Sequence, residues 1–303
     1  MTYRSILVPL DGSTHAASAI PYARALAERS GGRLLLVRAE LTDTYPGPVP
    51  VDPDIKLVRE ADAYLRHIAA DLPEELVAET KVCHADPDDA IIAEVDAGDV
   101  DLVVMSTHGR SGLGRWIYGS VADEVIRRAS VPILLIPVDC AESWQDEKVG
   151  PVLVPLDGSR LAEQAVKQAS DLARVIGAPL LLVRIVEMFI SLGTDPRTPD
   201  GEMSLTAEEQ NYLESIAANL RAEGHAVSTR TAIGRPVARI AAIAMEDDVS
   251  AIALATHGRS GLSRLLMGSV ATGVLQRASV PVLLVRPTAS ADATEETNTT
   301  TEP

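Results

Sequence analysis

Short strand-like runs alternate along this chain with longer segments whose apolar residues recur at three- and four-residue spacing. In the first half the runs are Ile6–Leu10, Leu34–Ala39, Glu79–His84, Asp101–Met105 and Pro132–Pro137. Between them, Ala16–Glu28, Lys56–Asp71, Asp88–Ala97 and Val121–Ala129 carry the helical period. An unbroken apolar run suits a strand covered on both faces, whereas a half-exposed strand alternates. Strands alternating with helices predict βαβ units, and so an α/β fold with a parallel sheet between two helical layers. Thr42–Asp54, rich in Pro and Asp, is expected to be a loop.

The pattern then starts again. ILVPLDGS at Ile6–Ser13 returns as VLVPLDGS at Val152–Ser159, and THGRSGL at Thr107–Leu113 returns at Thr256–Leu262. GSVA (Gly119, Gly268) and RASVP (Arg128, Arg277) are also written twice. Asp11 and Asp157 lie 146 residues apart, while His108 and His257 lie 149 apart, so the second copy is three residues longer between these points. Such a period is too long for a solenoid unit and suits a whole domain. Two tandem doubly wound five-stranded domains are expected, at 1–138 and 150–287, joined by a short polar linker at 139–149. The second copy has a longer loop, Glu187–Met203. Residues 288–303 contain four acids and no aliphatic side chain larger than alanine, and read as a disordered acidic tail.

Composition narrows the function classes. Aromatics are 3% of the 303 residues against 46% hydrophobic overall, so the core must be aliphatic. A net charge of −16 offers no basic face to release counterions from nucleic acid. No apolar run approaches the roughly 20 residues needed to span a bilayer, and the first residues lack the apolar region of a signal peptide. Cys83 and Cys140 have neither CxxC nor metal-type spacing. A cytoplasmic protein with inert thiols, and with neither nucleic acid nor membrane as partner, is expected.

Candidate chemistry sits at strand ends. In an open parallel sheet, ligands bind beyond the carboxyl ends of the strands, where the direction of connection reverses. The first strand ends in Pro9-Leu10-Asp11-Gly12-Ser13; the fourth ends in Ser106-Thr107-His108-Gly109, followed ten residues later by Gly119-Ser120. If these strands are neighbours, both features face one crevice. The glycines permit close backbone approach. Ser120 suits the N-cap of a helix starting at Val121, whose free amides and dipole favour a phosphate. Asp11 on the opposite wall can accept hydrogen bonds from a ribose hydroxyl or an exocyclic amine. Each motif taken singly is equally a turn or a helix cap; their joint occurrence in both halves argues for a mononucleotide site.

These residues resemble the universal stress protein family, in a tandem arrangement covering about residues 1–137 and 150–287. The ATP-binding branch of that family carries G-x2-G-x9-G-(S/T) after strand four. Here the pattern reads Ser106-x2-Gly109-x9-Gly119-Ser120 and Ala255-x2-Gly258-x9-Gly268-Ser269, with the first glycine replaced in both copies. The resemblance implies an adenine nucleotide alpha hydrolase-like fold with strand order 3-2-1-4-5, and ATP with magnesium as cofactor. It further implies that Asp11 and Asp157, with the backbone near Pro9 and Pro155, contact the adenosine. Ala39 and Ile185 match the small aliphatic contact to adenine. Gly109, Gly119 and Ser120, and likewise Gly258, Gly268 and Ser269, would wrap the phosphates. Ser106 and Ala255 each add a Cβ that crowds the nucleotide or merely narrows the pocket, and retained binding is the expectation. Single-domain relatives pair through the last strand, so Pro132–Pro137 and Pro281–Val285 are expected to pair as an intramolecular pseudo-dimer, leaving a homodimer through other surfaces open.

Dedicated catalysis is not expected. The chain contains no GxxxxGK[ST], HExxH or GxSxG, and has PLDGS where ATP pyrophosphatases need an SGG-type loop. His108 and His257 beside the proposed phosphates more often bond backbone than transfer protons, and Arg110 and Arg259 read as phosphate or surface contacts. Two functions compete: a nucleotide-dependent stress regulator with at most slow ATP hydrolysis, and a nucleotide-free scaffold acting through protein contacts. One asymmetry is visible. Asp123 and Glu124 open the helix after Ser120, where the second copy has Thr272 and Gly273, so the second site is expected to be less negative towards phosphates.

Overall fold

A computed structural model describes residues 3–40, 52–107, 119–137, 140, 144, 149–187, 207–256 and 267–287. The first half runs β1 (Ser5–Pro9), α1 (Thr14–Ala17), α2 (Ile20–Ser30), β2 (Arg33–Ala39), α3 (Asp52–Ala70), β3 (Ala78–Cys83), α4 (Pro87–Asp96), β4 (Leu102–Ser106), α5 (Ser120–Arg128) and β5 (Ile133–Ile136). The second runs β6 (Val152–Leu156), α6 (Arg160–Ile176), β7 (Leu180–Val186), α7 (Ala207–Ala222), β8 (Val227–Ile233), α8 (Pro236–Glu246), β9 (Ala251–Ala255), α9 (Ser269–Leu275) and β10 (Val282–Val285). The α/β class and the tandem organisation expected from the pattern are what the chain adopts.

All ten strands lie in one sheet, ordered β3-β2-β1-β4-β5-β10-β9-β6-β7-β8. Each half therefore has the order 3-2-1-4-5, and every pairing within a half is parallel. The halves join through their last strands, which pair antiparallel with Leu283 opposite Leu134. This joint leaves neither last strand as an open edge. The two outermost strands of the sheet are β3 and β8, and both alternate exposed with half-buried residues over much of their length. The inner strands β4, β5, β9 and β10 are buried at every position, as their unbroken apolar runs require.

Each face of the sheet carries one apolar cluster that runs through both halves. One face packs α2, α3, α6 and α7; the other packs α4, α5, α8 and α9. Alanines dominate the helix sides of the first cluster, Ala23 and Ala27 on α2 and Ala165, Ala169 and Ala173 on α6 among them, and small side chains let these helices sit close to the strands.

Three local expectations need correction. The single helix expected at Ala16–Glu28 is two, because Pro21 in the first turn of α2 has no N–H to donate to the Ala17 carbonyl, so the α1 ladder ends there. In the second half Lys167 occupies the corresponding place, and α6 runs unbroken for 17 residues. α3 begins at Asp52, inside the stretch read as loop. Finally, the segment read as a polar linker carries an apolar anchor. Trp144 is 1% exposed, its ring meets Tyr22 edge-on at 5.0 Å, and its Nε1 donates to the Ser250 carbonyl at 3.1 Å. Arg29 on α2 donates to the carbonyls of both Trp144 (2.6 Å) and Ile176 at the end of α6 (3.0 Å), stitching the two halves across the anchor.

Candidate functional site

A proline opens the crevice. β1 pairs with β2 along its full length, Ser5 to Pro9, but with β4 only at Ile6 and Leu7. Arg4 and Leu10 direct their backbone groups to β2, while the Ser5 carbonyl faces the β4 side, where the Asp101 amide bonds to it. By this alternation the N–H that Pro9 lacks belongs on the β4 side, so the ladder to β4 cannot continue there. β6 repeats the design: it pairs with β9 only at Val152 and Leu153, and Pro155 again stands on the side facing β9. The strands part at their carboxyl ends, at the point where connections reverse direction.

In the first half the resulting cleft has a volume of about 400 Å³. Pro9, Asp11, Ala39, Ser106, Gly119 and Ser120 all line it, so six of the sequence-predicted residues come together. The second cleft, about 820 Å³, is lined by Pro155, Asp157, Ile185, Ala255, Gly268 and Ser269. Gly109 and Gly258, together with His108, Arg110, His257 and Arg259, lie outside the described residues.

The carboxylates on the β1 and β6 side are held by the turn that follows. Asp11 Oδ1 accepts from the Ser13 amide at 2.9 Å, and Asp157 Oδ1 accepts from the Ser159 amide (2.9 Å) and hydroxyl (2.6 Å). Ser13 and Ser159 then cap α1 and α6 through the amides of Ala16 and Ala162. Between acid and cap, Gly12 and Gly158 sit at φ 84° and 81°, the left-handed region that side chains resist. The turn-and-cap role and the place in the cleft wall thus coexist in one motif.

On the facing wall the caps differ from expectation. Ser120 and Ser269 are the first helical residues, not the N-caps; Gly119 and Gly268 take that position, and among the described residues no side chain caps either helix start. The reason is a backbone bond, Gly119 N–H to the Thr107 carbonyl at 3.0 Å and Gly268 N–H to Thr256 at 2.8 Å, which brings the glycine to the strand end. The uncapped first-turn amides of α5 therefore open beside the cleft. Ser106 and Ala255 are buried at the floor, with their small side chains in the cleft lining.

The charge asymmetry at the two helix starts is reduced, not removed, since one cation faces two carboxylates. Asp123 and Glu124 both ion-pair with Arg127, at 2.8 and 2.5 Å, which offsets their field at the start of α5. Gly273 is there for packing: a Cβ on it would stand 2.7 Å from Val237 Cγ2 of α8. It is the second cleft that carries more acids in its lining, with Asp157, Glu187, Glu208 and Glu209 against Asp11 and Glu40 in the first.

Sequence reasoning also passed over one repeat, LLLVR, at Leu34–Arg38 and Leu180–Arg184. Arg38 lies over the Tyr64 ring at 5.3 Å and is closed by Glu40, 2.5 Å from its guanidinium. Arg184 lies over the Tyr212 ring at 5.8 Å and lines the second cleft, where Val186 stands in place of Glu40. Tyr212 donates to Glu163 at 2.9 Å; burial and that carboxylate push its phenol well above the ordinary range, so it stays protonated.

The sequence model of the Universal stress protein family matches the chain twice, over residues 2–137 and 148–286. The chain belongs to the universal stress protein family. A Mycobacterium tuberculosis universal stress protein is 30% identical over 237 residues, covering 77% of this chain and 74% of its own length. Another from the same species is 28% identical over 296 residues, covering 93% and 96%. Among solved structures, a universal stress protein from Archaeoglobus fulgidus is similar in fold at TM-score 0.71 and 20% identity, covering 93% of this chain and 98% of its own. This tandem universal stress protein thereby takes a stress-response role. Among its described residues no helix is long and apolar enough to cross a membrane, and no group of three or more His, Cys, Asp or Glu could hold a metal ion.

Proposed function

We propose that each half binds an adenine nucleotide in its cleft, and that occupancy sets which protein partners this cytoplasmic stress regulator engages. The observation that carries the reading is the pairing, across one proline-opened crevice, of a turn-held carboxylate with a helix start that has no side-chain cap. Uncapped amides and the helix dipole favour a phosphate; Asp11 and Asp157 suit adenosine donors, and Ala39 and Ile185 offer an apolar edge to the base. Gly109 and Gly258 belong to the same phosphate loops in this reading. With no cluster of acids or histidines among the described residues, magnesium would be held chiefly by the triphosphate and water, as that ion commonly is. Bound ATP supplies binding energy and an exchangeable γ-phosphate; the chain's residues orient and shield it, and turnover is slow at most. Residues 1–138 and 150–287 act as the two binding units, with 139–149 as their link.

The scaffold reading is favoured by one observation only, the Cβ that Ser106 and Ala255 place in the clefts. Calorimetric titration of ATP separates the two. Gly119 has φ −59° and ψ 153°, and Gly268 φ −60° and ψ 150°, backbone that any residue adopts, so Gly119→Val and Gly268→Val add bulk at the cleft lining without demanding a new backbone conformation. The wild-type chain is expected to bind two nucleotides, and each variant one. No heat from wild type, and no nucleotide released on denaturing freshly purified protein, would leave the scaffold reading standing.

A further inference from the structure

The two arginines of the LLLVR repeat have opposite fates. Arg38 is satisfied inside the protein: its Nε donates to Glu40 at 2.7 Å, and Glu40, not Arg38, lines the first cleft. Among the described residues Arg184 has one hydrogen bond, from a terminal nitrogen to the Leu156 carbonyl at 3.4 Å, and its buried Nε has no partner. Among the described residues no carboxylate forms an ion pair with it. Leaving a guanidinium partly buried without an anion is costly, yet Val186 has removed the one carboxylate that the first half supplies. What remains is a donor fork on the cleft wall, its plane supported by Tyr212, which Glu163 fixes in turn. Ala17 stands where Glu163 would be in the first half, so this support is also particular to the second.

We propose that Arg184 is a specificity-determining residue, and that the second cleft takes a nucleotide bearing a second phosphoryl group on its ribose, whereas the first cleft does not. This assignment rests on the second cleft holding a nucleotide. Arg184 extends from β7, across β6 from the β9 end where the 5′ phosphates would lie. Its guanidinium lies on the α6–α7 face with Tyr212, whereas α9, whose start would meet those phosphates, packs on the opposite face of the sheet. Phosphates on the 5′ and on the 2′ or 3′ positions of one ribose serve both faces at once. A planar fork is the side chain best matched to phosphate oxygens. The second cleft has about twice the volume of the first, which gives the added group room. Glu187 and Glu208 at its rim are exposed, so water and salt screen their repulsion; half-buried Glu209 is the principal opponent.

Calorimetry on the intact chain tests this with AMP, adenosine 3′,5′-bisphosphate and its 2′,5′ isomer. One bisphosphate isomer should bind one site per chain about tenfold tighter than AMP, as expected for a new charge-assisted contact. Arg184→Gln should erase that preference, and so should Val186→Glu, which restores the internal carboxylate. Glu40→Val should free Arg38 and create a weaker preference of the same kind in the first cleft, where no counterpart of Glu163 fixes the tyrosine. If AMP binds and both bisphosphates stay within about twofold of it, the proposal falls while the nucleotide reading stands. A preference that survives Arg184→Gln overturns it equally. If none of the three binds, the nucleotide reading fails and takes this assignment with it. Should Arg184→Gln not fold, judged by its melting curve, Val186→Glu and Glu40→Val carry the decision.

Discussion

The halves agree where the strands part and disagree at the rim. Pro9 and Pro155, Asp11 and Asp157, Gly12 and Gly158 occupy equivalent places and make equivalent bonds. The differences lie in helix continuity (α1 and α2 against α6), in the contact between α8 and α9 tightened by Gly273, and in the closed Arg38 against the open Arg184. After duplication, then, the machinery that splits the sheet has been kept, while side chains around the opening have diverged. A cleft made by backbone chemistry tolerates such divergence, because no rim residue is needed to hold it open.

The largest effect should come from cutting what the halves share. Trp144→Ala removes a fully buried indole at the joint and should cost roughly 3–5 kcal/mol in denaturant unfolding. It should also split a single unfolding transition into two, one per half; a single transition at unchanged midpoint would show that the strand pairing alone couples them. Next comes a change confined to one half. An exposed helical glycine replaced by alanine normally gains up to about 1 kcal/mol. Gly273→Ala should instead lose about 1 kcal/mol, since Val237 is stiff at χ1 and the added methyl overpacks the α8–α9 contact. The matching Glu124→Ala in α5, which only weakens a surface ion pair, should stay within about 0.5 kcal/mol of wild type. The smallest effect concerns the thiols. Burial pushes both Cys83 and Cys140 above the ordinary thiol range, the Tyr22 hydroxyl partly offsetting this at Cys140. Less thiolate at neutral pH means slow iodoacetamide labelling of both. In Trp144→Ala, Cys140 should become faster and Cys83 should not, which mass spectrometry of the labelled peptides would read.

Much of this architecture was legible from residue order. The apolar runs located the strands because parallel inner strands are buried on both faces, and PLDGS marked the cleft because proline, acid, glycine and hydroxyl each constrain the backbone locally. What escaped was non-local. Trp144 sits in a polar stretch, and only the meeting of α2, α6 and Ser250 around it makes it an anchor. Gly273 reads as a missing charge until Val237 is seen across from it. Arg38 and Glu40 share a strand face at period two, so their pairing could have been read; that Val186 releases Arg184 could not, because the consequence depends on Tyr212 and Leu156 from other elements. Ser120 does not cap α5, because the bond from Gly119 to Thr107 starts the helix one residue earlier and puts glycine at the N-cap.

The antiparallel joint of β5 and β10 has a geometric consequence. Strands β1 and β4 point their carboxyl ends one way, and β6 and β9 point theirs the other, so the two mouths open at opposite margins of one continuous sheet. β4 and β9 are three strand spacings apart, about 14 Å. A protein that senses both occupants must reach around the slab, or two identical readers must dock head to tail, one at each margin.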